Sequence, residues 1–140
     1  MNDLQLAKNG LAGHTICLCK DGNCLYSEQR GIAPMMHFIA ENTDLAGYSA
    51  ADLIVGKAAA LLFVKCGVKA VFAKTLSKSG KRVLERHQIA FEYETLTDSI
   101  INRAGTDLCP MEKALGETDD PEEAYLILKE TLQKMSAKNK

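Results

Sequence analysis

The densest chemistry in the chain lies in residues 104 to 116, AGTDLCPMEKALG, where a thiol, a proline and a carboxylate fall within four positions, Cys109 to Glu112. Pro110 suits a first helical position, which makes Cys109 the residue before the helix and sets Glu112 at capping-box spacing. Cysteine is a poor cap. A thiol beside free backbone N–H groups, at the positive end of a helix, is a candidate nucleophile, with Glu112 or Arg103 adjusting it. The plainer reading is an inert cysteine at a capped turn.

A second stretch, DLIVGKAAALL, sets Gly56 and Lys57 inside an otherwise apolar segment. Glycine costs about 1 kcal/mol against alanine within a helix, so something should compensate, and close approach of a strand or ligand would do so. Lys57 must either snorkel outward or meet an anion. Taken with Asn102, Arg103, Thr106 and the amides that open the Cys109 helix, Gly56 and Lys57 define a candidate pocket for an anion. A helix start offers N–H groups, arginine a planar fork and lysine a point charge.

Other motifs fall short. SKSGKR around Gly80 and Lys81 lacks the first glycine of a phosphate loop and the hydroxyl after its lysine. Cys17 and Cys19 share one strand face, and a two-residue turn at Asp21-Gly22 sets Cys24 opposite Cys19, so three thiols could converge on a metal. Three small apolar side chains facing a core explain the same parity without a fourth ligand, so no metal is expected there. His37 and His87 lack neighbours in any triad-like arrangement and are read as structural or exposed.

The elements that must position these residues alternate between strand and helix. The hairpin HTICLCKDGNCLYSEQ turns at Asp21-Gly22. A short helix follows, with Pro34 in its first turn, running to about Glu41. SAADLIVGKAAALLFVKCG reads as one central, buried helix from a Ser49/Asp52 capping box to Gly67. VKAVFAKT is an inner strand, SKSGKRVLERHQ a helix with Val83 and Leu84 inward, and IAFEYETL a strand with one wet face. Residues 97–103 look helical, Pro110 opens a short turn of helix, and DDPEEAYLILKETLQKM turns Ala124, Leu128 and Leu132 to one side. The tail from about residue 136 should fray.

The whole reads as an α/β chain, one domain over residues 1–140. A hydrophobic share of 46% with 25% charged residues suits a soluble globular protein able to bury a core. A net charge of −1 with scattered basic residues disfavours nucleic acid as a partner. No apolar run reaches membrane-spanning length, and MNDLQLAKNG lacks the cationic start of a signal peptide. Five cysteines without the spacing of a disulfide framework suit a reducing compartment. A cytoplasmic location is therefore expected, with no cofactor and no membrane partner.

The order of elements, together with RGI.P at Arg30 to Pro34, VGKAAA at Val55 to Ala60 and NR.GT..CPME at Asn102 to Glu112, resembles a small bacterial family of unknown function. That family is classed structurally beside the cytidine deaminases. The resemblance runs from about Thr15 to Leu128. It implies a three-layer α-β-α cytidine deaminase-like domain, a mixed sheet with an N-terminal hairpin. In zinc deaminases a His-Ala-Glu type motif opens the central helix and Pro-Cys-x-x-Cys the next, together holding zinc and the proton-transferring glutamate. This chain has Val55-Gly56-Lys57-Ala58 and Ser77-Lys78-Ser79-Gly80 at those places. The resemblance therefore implies the fold without zinc-hydroxide attack on a nucleobase. Three readings of function follow: a pocket for an anionic, nucleotide-like small molecule, an enzyme using the Cys109 thiol, or a non-catalytic oligomerisation module, for instance a homodimer.

Overall fold

The computed structural model describes residues 2–101, 105 and 107–138. Among them, five strands form one open mixed sheet in the order β2-β1-β3-β4-β5, flanked by six helices. β1 (Ile16–Lys20) and β2 (Asn23–Ser27) make the expected hairpin, with Asp21 and Gly22 at φ 51° and 84°. Positive φ at both turn residues gives the twist that matches the strands. β1 also pairs antiparallel with β3 (Ser49–Val55), and β3, β4 (Ala70–Ser77) and β5 (Ala90–Thr97) run parallel. Parallel neighbours need crossovers, supplied by α3 (Lys57–Cys66) and α4 (Lys78–Arg86).

Alternation along β1 sorts the core into two layers. Ile16 and Leu18 join Ala50, Val71 and Ala73 in the main core, which collects α2 (Ala33–Ala40), α3, α4, α5 (Pro110–Leu115) and α6 (Pro121–Lys138). Cys17 and Cys19 face the other way and pack with Ala51 and Phe72 under α1 (Asp3–Gly10). α1 was not foreseen. Its start is nonetheless written in the sequence, since Asn2 and Gln5 form a reciprocal capping box.

Three expectations need correction. The segment from Ser49 is a strand as far as Val55, and the helix starts only at Lys57. Ser49 to Asp52 are buried inside the sheet, so no polar alternation marks them as a strand, and their alanines imitate a helix. Residues 98–101 are not helical; Ile101 bridges to Leu108 instead, closing the connection between β5 and α5. β5 is wetter than one wet face, because it is the sheet edge: Phe91 reaches the core while Tyr93 and Leu96 stay exposed.

A fourth correction concerns the thiols. Cys19 and Cys24 are joined by a disulfide, where free small apolar side chains were expected. Cys17 and Cys19 are fully buried as anticipated. Among the described residues no helix is long and apolar enough to cross a membrane.

Candidate functional site

α3 begins without a side-chain cap of its own, because its N-cap is Gly56. The first amides of a helix have no partner within it, and here Glu112 supplies one from α5. Its Oε1 accepts from the Lys57 N–H and its Oε2 from the Ala58 N–H, both at 2.7 Å. The glycine makes this possible, since a Cβ on Gly56 would overlap that carboxylate and lie 2.7 Å from Ile100. The short helix α5 serves to aim Glu112: Pro110 starts it, while Met111 and Leu115 bury its inner face. Burial pushes the Glu112 carboxyl above its ordinary range, against the pull of the two amides and of the Lys57 charge.

Lys57 folds back over the same junction. Its Nζ donates to the Gly116 carbonyl at 3.1 Å and lies 3.8 Å from Asp119, which also pairs with Arg86. The side chain is only 15% exposed, so it neither snorkels freely nor awaits an anion unpaired. Beside it opens a cleft of about 340 Å³, lined by Lys57, Ser79, Arg82 and Arg86 with Glu112 and Asp119 among its acidic members. The cleft sits at the starts of α3 and α4, beyond the carboxyl ends of the parallel strands, where ligands of open α/β sheets bind. Among the described residues Arg82 has no hydrogen-bond or ion-pair partner.

The structure thus brings together Gly56, Lys57 and Glu112 of the expected set. Asn102, Arg103 and Thr106 lie outside the described residues, although Ile100 and Leu108 on either side of them line the cleft. Cys109 is the N-cap of α5 without a side-chain cap bond; it is half-buried against the main core and is not among the lining residues. Its amide donates to the Ile100 carbonyl at 2.9 Å, anchoring the turn. His37 pairs with Glu41 and His87 closes α4, and neither lines this cleft. Sequence reasoning missed Arg82, Arg86 and Asp119. The i,i+4 spacing of the two arginines, flanking the inward Val83, was the available signal.

The deaminase resemblance would put zinc between the starts of α3 and α4. Among the described residues those starts carry no thiol, imidazole or free carboxylate. A Cβ on Gly80 would lie 3.0 Å from the Gly56 carbonyl oxygen, so the two backbones pack directly. The α3 amides already hold Glu112. These residues do not fit a zinc ion.

An open mixed sheet with helices on both faces, and a helix-start junction held by a carboxylate, define an α/β protein. The family model TM1506, Domain of unknown function (DUF1893), matches residues 6–132, and the chain belongs to the DUF1893 family. Among solved structures, it is similar to the crystal structure of a DUF1893 family protein (TM1506) from Thermotoga maritima. The two are 27% identical, with 95% of this chain and 90% of that chain covered and a TM-score of 0.82. No curated protein matches the sequence.

Proposed function

We propose that this protein binds an anionic, nucleotide-like small molecule in the cleft between α3, α4 and α5, on a cytidine deaminase-like fold that works without zinc. The strand order 2-1-3-4-5 and the helices on both faces support that finer fold reading. One observation carries the binding reading: Lys57, Arg82 and Arg86 surround a single cleft at two helix starts. Arg82 is the entry anchor, and its planar fork suits phosphate or carboxylate. Lys57 and Arg86 share Asp119, so a ligand anion would take that carboxylate's place between them. Asn102, Arg103 and Thr106 lie outside the described residues and join this reading from the sequence alone, their chain neighbours Ile100 and Leu108 being lining residues of the cleft.

A thermal-shift screen of nucleotides and sugar phosphates tests this. A stabilising ligand should appear in the panel, its shift should shrink with added salt, and Arg82→Ala and Lys57→Ala should each weaken binding about tenfold or more. No shift across the panel, or equal affinity in both variants, would sink the reading. The Cys109 enzyme remains an alternative, tested by whether alkylation of Cys109 abolishes ligand-dependent turnover.

A homodimer is the second reading, favoured by the open edge of β5, where Tyr93 and Leu96 are exposed. Glu92 and Glu94 on the same strand oppose like-charged edge pairing, so any such contact uses the apolar side chains more than the ladder. Sedimentation across a concentration series, with Leu96→Lys as the disrupting variant, decides it.

A further inference from the structure

We propose that the β1–β2 hairpin carries a redox-gated site for a soft monovalent cation, Cu(I), built from the Sγ atoms of Cys17, Cys19 and Cys24. The site lies on the α1 face of the sheet, whereas the cleft lies among the helices of the main core, so the two are independent.

The geometry begins with strand register. Cys19 and Cys24 stand directly opposite, with Cα atoms 4.1 Å apart, near the spacing of a non-hydrogen-bonded antiparallel pair. Cys17 is two residues along the same face, its Sγ 3.6 Å from that of Cys19. All three sulfurs lie within 4.8 Å of one another. A metal with sulfur bonds of about 2.3 Å and trigonal geometry needs sulfurs about 4 Å apart; the Cys17–Cys19 side is already near that, while the bonded Cys19–Cys24 side must open to it once the disulfide is reduced.

The donor set selects the ion. It is sulfur alone, and among the described residues no imidazole or carboxylate joins it. Magnesium and calcium demand oxygen, and structural zinc demands a fourth ligand. Thiolates favour soft ions, and Cu(I) accepts three of them. Burial supports the same choice, since Cys17 and Cys19 are fully buried while half-buried Cys24 gives the ion an approach. The covering helix packs its backbone directly on the cluster, since a Cβ on Gly10 would lie 2.6 Å from the Cys17 sulfur.

The gate is the Cys19–Cys24 bond. While it stands, two of the three donors are spent on each other. A dithiol reductant supplies two electrons and two protons, the S–S bond breaks to two thiols, and the reductant leaves as its cyclic disulfide. Cu(I) then binds the three sulfurs and the displaced thiol protons go to solvent.

The full-length protein, reduced with a dithiol and desalted without oxygen, would be titrated with Cu(I) against a chromophoric Cu(I) chelator. One Cu(I) per chain should be retained, and X-ray absorption should show a shell of sulfur alone. Cys17→Ala and Cys24→Ser should each weaken retention at least tenfold, whereas Cys66→Ser and Cys109→Ser should leave it unchanged. Protein with its disulfide intact should take up none until reduced. Failure of the reduced wild type to hold Cu(I), equal retention by the cluster variants, uptake by the oxidised protein, or a preference for Zn(II) would each overturn the proposal. The absorption spectrum of the wild type needs no variant, so a folding defect in one cannot rescue the idea.

Discussion

Two carboxyls of this chain, half-buried Glu112 and buried Asp52, solve opposite problems. Glu112 satisfies the first amides of α3, and truncating it leaves both without a partner. Glu112→Ala should therefore destabilise the protein by about 1–3 kcal/mol in denaturant unfolding, and Glu112→Gln by less, because one carbonyl acceptor survives. Equal losses would mean that the carboxylate is not the cap. Asp52, inside β3, has no such reward. It is held by the Ile54 N–H at 3.4 Å, and burial pushes its carboxyl from 3.8 up to about 8. Between those values the native state binds the proton that the unfolded chain has released. Stability from this group is thus fully present below about pH 4 and falls as pH rises through the window to about 8. Asp52→Asn should flatten that slope and be more stable than wild type at pH 8 by about 1 kcal/mol or more, read from denaturation midpoints at pH 5 and pH 8.

At the scale of elements, α5 shows how a six-residue helix can matter through one side chain. Its N-cap, Cys109, forms no side-chain bond to the helix amides, so Cys109→Ser should be tolerated or stabilising, by a fraction of a kcal/mol up to about 2 kcal/mol in thermal melts. A clear loss of stability would instead show that the thiol's packing against the core outweighs the cap. Much of this level was legible in the chain. The Asp21-Gly22 turn, the stop at Gly67 with φ 74°, and the inward Val83, Leu84, Ala124 and Leu128 follow from local chemistry and period. β3 was not legible, because a strand buried on both faces loses its alternation, and Ser49 with Asp52 mimicked a helix start. The cleft was half legible. Gly56 announced a close approach, but the group that approaches, Glu112, lies 56 residues away, and a cap supplied across that distance leaves no local spacing to read.

At the scale of the whole molecule, the two helix starts that would cradle a metal in a deaminase pack backbone to backbone at Gly56 and Gly80. The purified protein should accordingly hold no stoichiometric zinc and should leave cytidine unchanged. About one zinc per chain by elemental analysis, or ammonia released from cytidine, would refute this. The two faces of the sheet are also unequally covered, five helices on one and the eight residues of α1 on the other. A helix that short is marginal by itself, so its opening is a separate, cheaper event than global unfolding. The amides of α1 should exchange with deuterium well before those of α3. Cys17, sealed beneath α1, then becomes a clock for that event: its rate of labelling by a thiol reagent in native buffer measures how often one face of the protein breathes.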